Sequence, residues 1–374
     1  MPDASQKPTI LFAGGGTGGH IVPNLAVVDR LEEMGVAFTP HFLVSSRTID
    51  AKVMAGRGMA FTQLPAQPLS FAPKKFLSFA KNLAGGARSQ ALKVMRETNA
   101  KVVVATGGFV SAPVVLAARQ AGIPVALVSL DAVPGKANQL AAPFVAEHFS
   151  AYPVPGGKTQ VVGPLLRLGV VSRKSAVEAR ISLGLDPAKP LLLVFGGSLG
   201  GGTVNQAMAE LARRQMTRGA LAGWQVLHLT GEADLVASRA AWESCAKATG
   251  LTVRVEPFIN GLSDVWAAAS LALCRAGAGS VGEAWAAGVP CIFMPYPWHK
   301  DQHQKFNAAP LEKVGGAVVL TDLKETLANA RQLEESLVPL LSRPDKVAQM
   351  RAALEANPPG DGAQKVALWA AARL

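Results

Sequence analysis

Five glycines and a histidine crowd into Gly14-Gly15-Gly16-Thr17-Gly18-Gly19-His20, directly after the apolar run Thr9–Ala13. Glycine admits positive φ and lets an anion come close to the backbone, and a helix starting there points its N–H groups outward. The chemistry this spacing suits is the holding of a phosphate. His20 stands at its edge as a base or donor near neutral pH, or as a side chain at a helix cap with no chemistry. A second loop, Gly196–Gly202, follows Leu191–Phe195, and Gly107-Gly108 and Gly277–Gly279 follow two further apolar runs. Gly14-x-Gly16-x-x-Gly19 satisfies the dinucleotide fingerprint, but the next strand ends without an acid, which argues against NAD. Ser45-Ser46-Arg47 there could hold the extra phosphate of NADP, so an NADP-dependent dehydrogenase stays open. No Gly-Lys-Ser/Thr follows either loop, so neither is a P-loop.

Glu283 lies early on a helical segment, three residues past Ser280. A carboxylate there can accept hydrogen bonds from a ribose diol, or simply complement the helix dipole. The segment His299–Asn307 offers the amides and imidazoles that sugar hydroxyls need, or is a solvated loop. Its histidines and aspartate are poorly spaced for a metal, and we expect none. In residues 68–83, Phe71, Phe76 and Phe79 alternate with Lys74 and Lys75. That mixture suits the interface of an anionic bilayer, or a surface helix with its apolar face in the core.

The elements that must carry these residues alternate. Thr9–Ala13, His41–Val44, Val102–Ala105, Pro124–Val128, Leu191–Phe195, Gln225–Leu229, Thr252–Val255, Leu271–Cys274 and Pro290–Met294 read as strands. Helical patterns such as Pro23–Met34 and Thr203–Arg213 lie between them, and 346–356 and 363–374 read as helices. Continuous apolar strands alternating with helices predict parallel sheets covered on both faces. The halves echo each other: "ILFAGGGTGGH" answers "LLVFGGSLGGG", and Ser111 and Ser280 stand 169 residues apart, as do Asn138 and Asn307. The expectation is two similar doubly wound domains, 1–163 and 164–345, with the Pro- and Gly-rich stretch 152–164 as boundary and a tail, 346–374, packing back on the first.

The chain of 374 residues carries a net charge of +11, which favours anionic partners. With 6% aromatic residues and two tyrosines, nucleic acid is a poor candidate. No run of 18 apolar residues predicts a membrane span. The first eight residues lack a secretory layout, and the cysteines (Cys245, Cys274, Cys291) have no zinc spacing, so a cytoplasmic protein with buried thiols is expected.

Taken in order, "GGGTGGHIVPNLAV", "ATGGFVSAPVVLAA", "AVPGKANQLAA", "VVGPLLR", "FGGSLGGGTVNQ", "RAGAGSVGEAWAAGVPCIFMPYP" and "DQHQKFNAAPLEKVGGA" span nearly the whole chain. In these the chain resembles the MurG family, glycosyltransferase family 28. The resemblance implies a GT-B fold, two Rossmann-like doubly wound parallel-sheet α/β domains facing across a cleft. It implies an inverting transfer of GlcNAc from UDP-GlcNAc to undecaprenyl-pyrophosphoryl-MurNAc-pentapeptide (lipid I) with no cofactor. It assigns the donor to Thr17, Gly18, Gly19, Arg167, Ser198, Asn205, Ile259, Ala278, Gly279, Glu283, His303 and Gln304. It assigns the acceptor to Gly14, Gly15, Gly16, Gly107, Gly108, Phe109, Ser111 and Asn138. His20 is the first choice as base and Asp131 the second. Phe71, Lys74, Lys75, Phe76 and Phe79 would dock peripherally on the anionic inner face of the membrane, where a cell-wall synthesis complex is the implied setting. The chain departs from the family in Val128-Ser129-Leu130-Asp131, where His-Glu-Gln-Asn is usual, in Phe109 for a common tyrosine, and in Pro164-Leu165-Leu166-Arg167 for Asn-Pro-Val-Arg. A related enzyme with another lipid acceptor, and a non-catalytic UDP-sugar-binding protein, are the remaining readings.

Overall fold

A computed structural model describes residues 7–16, 18–67, 85–157, 159–197 and 201–374, the side chains of 216–218 aside. It has two compact units, residues 1–168 with 360–374, and residues 169–359. This division differs from the expected one. The helix Pro344–Ala356 stays in the second unit, and only the last helix, Gly362–Ala371, belongs to the first.

In the first unit the strands β1 (Thr9–Ala13), β2 (Thr39–Ser45), β3 (Phe61–Leu64), β4 (Ala100–Ala105), β5 (Val125–Ser129), β6 (Glu147–Ser150) and β7 (Gln160–Val161) form a parallel sheet ordered β3-β2-β1-β4-β5-β6-β7. Side chains alternate across it: Ile10, Phe12, Val102 and Val104 enter one core, Leu11, Ala13, Val103 and Ala105 the other. Both faces are covered by helices, so these strands read as unbroken apolar runs. The second unit repeats the plan. Its strands β8 (Leu191–Phe195), β9 (Gln225–Leu229), β10 (Thr252–Glu256), β11 (Leu271–Cys274), β12 (Cys291–Phe293) and β13 (Ala317–Val319) are ordered β10-β9-β8-β11-β12-β13.

In each sheet the order reverses once, between β1 and β4 and between β8 and β11. The four glycine corners follow these four strands. They therefore lie at the topological switch points, where open α/β sheets bind ligands. Stretch 152–164 is not a linker: Tyr152 and Val162 are buried, and Gln160–Val161 adds the edge strand. The first helix starts at Gly18 rather than Pro23, which falls inside it. All three cysteines are buried and unpaired. No described helix is long and apolar enough to cross a membrane.

Candidate functional site

In the first unit His20 sits in the opening turn of the helix Gly18–Glu33, and its Nδ1 lies 3.1 Å from the carbonyl of Thr106, the residue after β4. A carbonyl can only accept, so Nδ1 carries the proton and Nε2 keeps its lone pair in the neutral ring. Burial lowers the His20 pKa; the Thr106 carbonyl and the charges of Asp131 and Asp50 offset part of that. The structure thus brings His20 and Asp131 within electrostatic reach. Gly107 and Gly108 have φ of 104° and 74°. A Cβ on Gly107 would come within 3.3 Å of the His20 ring and 3.2 Å of Asn138 Oδ1, and one on Gly108 within 2.3 Å of the Gly15 carbonyl. These two glycines make room for the imidazole.

The first glycine loop is closed by protein. The Gly14 N–H reaches the Leu43 carbonyl, and the Gly16 N–H donates to Asp50 Oδ2 at 2.7 Å. A Cβ would collide with Thr106 at Gly14, with Asp50 at Gly15 and with Phe109 at Gly16. Close packing thus accounts for the absence of side chains at Gly14–Gly16, and Asp50 takes the Gly16 N–H while the Leu43 carbonyl takes that of Gly14. Asp50, fully buried on the helix Thr48–Ala55, also accepts from Ser45 N and Oγ, at 3.1 and 2.5 Å. Arg47 donates to the Gly16 carbonyl at 2.6 Å and lies over the Phe109 ring, so it braces the loop. Ser111 is buried, and its hydroxyl is engaged by Gly107 N and O at 3.0 and 2.8 Å. Asn138 bonds Val128 O and Ser129 Oγ. Arg167 is held by Asp29 at 2.6 Å. Thr17 lies outside the described residues, as do Phe71, Lys74, Lys75, Phe76 and Phe79.

In the second unit Ser198 lies outside the described residues, but both flanks of its loop are fixed. Gly201 packs so closely that a Cβ would sit 2.7 Å from Gly196 Cα. Asn205, in the first turns of the helix Gly202–Arg218, donates to Thr230 O and Asp234 Oδ2 at 2.9 and 2.8 Å and accepts from His228 Nε2 at 3.0 Å. Trp242 Nε1 donates to His228 Nδ1 at 2.9 Å, which puts the imidazole proton on Nε2. Burial pushes the His228 pKa down to about 3. Arg275, at the end of β11, bonds Asp322 and Thr203 and ties the second glycine corner to the start of the same helix.

Glu283 lies on the helix Ala278–Ala286, with its Oε2 accepting from Trp266 Nε1 at 2.8 Å. Burial raises its pKa and the indole N–H partly offsets this. At Gly277 and Gly279 a Cβ would meet nothing within 4 Å, so this corner is open where the first loop is filled. Ala278 starts the helix, and Ile259 is half-buried in the turn after β10. His303 Nδ1 lies 2.7 Å from Asp301, and Gln304 Oε1 accepts from Tyr296 N at 2.9 Å. Asn307, buried, bonds the Ala276 carbonyl at 3.2 Å. Among the described residues no three His, Cys, Asp or Glu side chains gather as a metal site.

Two family models match: the glycosyltransferase family 28 N-terminal domain over residues 10–150 and its C-terminal domain over 191–366. A UDP-N-acetylglucosamine--N-acetylmuramyl-(pentapeptide) pyrophosphoryl-undecaprenol N-acetylglucosamine transferase of Frankia casuarinae is 33% identical over 354 residues, 92% of this chain and 90% of that one. The enzyme of that name from Nocardioides sp. is 34% identical, with 96% of each covered. The crystal structure of Acinetobacter baumannii MurG superposes with a TM-score of 0.76 at 24% identity, covering 97% of this chain and 99% of that one. A kitacinnamycin glycosyltransferase superposes at 0.65, with 17% identity, 98% of this chain and 99% of that one covered.

Proposed function

The chain belongs to glycosyltransferase family 28, and from that premise we propose that it transfers GlcNAc from UDP-GlcNAc to lipid I, giving lipid II and UDP. The observation that carries this reading is the similarity, over nearly the full length, to transferases named for that reaction. The glycine corners at both switch points support it.

In the proposed reaction an acceptor sugar hydroxyl attacks the anomeric carbon. The new C–O bond forms as the bond to the β-phosphate oxygen breaks with inversion, and UDP leaves with the electron pair. The hydroxyl proton passes to His20 Nε2, which the Thr106 carbonyl leaves as the basic nitrogen. Asp131 favours the imidazolium that results. In the second unit the N-terminus of the helix Gly202–Arg218 and the loop before it stabilise the departing diphosphate, so the chemistry needs no metal. Glu283 takes the ribose hydroxyls, Ile259 the uracil, and Ala278, Gly279, His303 and Gln304 the transferred sugar. The segment 68–83 holds the protein on the cytoplasmic face of the membrane, where a lipid-linked acceptor presents its head group.

Incubation of the pure protein with UDP-GlcNAc and lipid I tests this. Lipid II and UDP in equal amounts are expected. UDP release that depends on a different lipid would point to another acceptor, and UDP binding without turnover to a non-catalytic sugar-nucleotide binder.

A further inference from the structure

Trp266 is nearly inaccessible, with 1% of its surface exposed, yet it carries one polar atom, and that atom is spent on Glu283. Its helix, Leu262–Ala268, is held from three sides. Arg180 Nε donates to the Ala268 carbonyl at 3.0 Å, Arg351 to the Ala269 carbonyl at 2.9 Å, and Asp264 accepts from Lys174 and Ser172. The Trp266 ring also packs edge-on against Phe195, the last residue of β8 before the glycine loop, with centroids 5.3 Å apart. The indole is therefore fixed to the scaffold at one end and to a carboxylate at the other.

An indole N–H can only donate, and an ionised carboxylate can only accept. The bond occupies Oε2 and leaves Oε1, which takes no hydrogen bond among the described residues. The bond restrains a side chain with three rotatable bonds and leaves it one oxygen to offer. Burial opposes the Glu283 charge, and a donated hydrogen bond favours it. From this geometry we infer that Trp266 is a positioning residue for the nucleotide: it pins Oε2 of Glu283, aims Oε1 at a vicinal diol, and thereby sets the preference for ribo- over 2′-deoxyribonucleotides. The inference rests on the reading of Glu283 as the ribose ligand. A diol has two hydroxyls to donate, and a carboxylate in fixed orientation registers the loss of one. A mobile carboxylate turns to the remaining hydroxyl and registers less.

Calorimetric titration of the intact chain with UDP and with 2′-deoxyuridine diphosphate tests it. The unaltered protein should prefer UDP by roughly tenfold or more, as expected for a hydrogen bond to a charged group. Glu283→Ala should bring the two affinities within about twofold. Trp266→Phe keeps a ring but lacks the N–H. It should cut the preference at least about threefold, and in turnover raise the donor KM with kcat changed by less than about twofold. Phe195→Leu removes the packing partner and keeps the N–H; it should lower the melting temperature and leave the preference intact. If Trp266→Phe does not fold, benzothienylalanine at position 266 has the indole's shape without its N–H and gives the same readout. An unchanged preference in Glu283→Ala would overturn the ribose reading itself. A preference lost in Glu283→Ala but retained without the indole N–H would overturn the role of Trp266 alone. An equal loss in Phe195→Leu would reduce that role to packing.

Discussion

His20 and Glu283 are both ionisable groups whose burial disfavours charge, with opposite consequences. The His20 pKa is lowered, so the ring stays neutral, with Nε2 basic, to pH values below the usual imidazole range. The rate should therefore lose its base only at pH below the ordinary imidazole range, and His20→Ala should cut kcat by roughly a hundredfold or more. A pH–rate profile with its acid limb above 7, or a near-normal His20→Ala enzyme, would remove His20 from the reaction. The Glu283 pKa is raised, so donor affinity should weaken as pH falls from above the ordinary carboxylate range; Glu283→Ala should raise the donor KM far more than it lowers kcat. His228 gives a stability test. Its folded pKa is about 3 against 6.5 unfolded, so the unfolded chain takes the proton first. Stability is complete above the unfolded value and falls between the two by up to about 1.4 kcal/mol per pH unit. Urea unfolding of His228→Gln should show a flatter acid dependence than the unaltered protein. His20 and Glu283 were legible in the sequence because each stands beside a glycine corner. Trp266, His228 and Asp50 were not, because each acts on a partner 17 to 34 residues distant, and nothing local marks the partner.

At the scale of elements the glycine corners at Gly14–Gly16 and Gly277–Gly279 each follow an apolar strand and open a helix, yet they differ in structure. Spacing revealed the strand–loop–helix unit, since apolar run, glycine and amphipathic helix are local signals. It could not reveal whether the glycine faces are open, since that depends on what packs over them. Asp50 fills the first loop, while Gly277 and Gly279 remain uncovered. Edge strands were the other omission. Phe61–Leu64 and Ala317–Val319 are too short to stand out as apolar runs, and Gln160–Val161 is exposed. The filled loop carries a prediction. Asp50→Ala leaves the Gly16 N–H and both Ser45 donors without their acceptor and should cost roughly 3 kcal/mol or more, since bonds to a charged group are worth about 1.5–3 kcal/mol each. Chemical denaturation should show that loss. Unchanged stability with a raised acceptor KM would mean instead that the loop binds phosphate and Asp50 is a bystander.

At the scale of the whole molecule, the chain leaves its first unit near residue 168 and returns at Gly360. The return is built from glycines. A Cβ on Gly163 would lie 2.1 Å from the Gly360 carbonyl, one on Gly362 2.1 Å from the Gly163 carbonyl, and Gly362 N donates to Pro164 O at 3.2 Å. Beyond it Ala363, Val366, Ala367 and Ala370 enter the same core as Phe149, Val162 and Leu165, and Trp369 meets Phe149 edge-on at 6.4 Å. The pattern of 363–374 predicted a helix returning to the first unit; that the return begins only at Gly360, leaving Pro344–Ala356 with the second unit, depended on backbone contacts that no periodicity encodes. The net charge of +11 belongs to this scale too, and with segment 68–83 it predicts that Phe76→Ser with Phe79→Ser weakens binding to anionic vesicles but spares turnover of a soluble acceptor analogue; equal losses would place those rings in the core. Removing 360–374 strips several buried side chains worth about 1.5–3 kcal/mol each for the larger ones, a loss comparable with a domain's total of about 5–15 kcal/mol. Hydrogen exchange followed peptide by peptide should then show β1, β4 and β5 losing protection while β8 and β11 keep theirs. Addition of UDP should still protect the second unit, by about 2.7 kcal/mol at a hundred times its dissociation constant. Protection lost equally in both sheets, or in neither, would mean that the last helix is not part of the first unit's core.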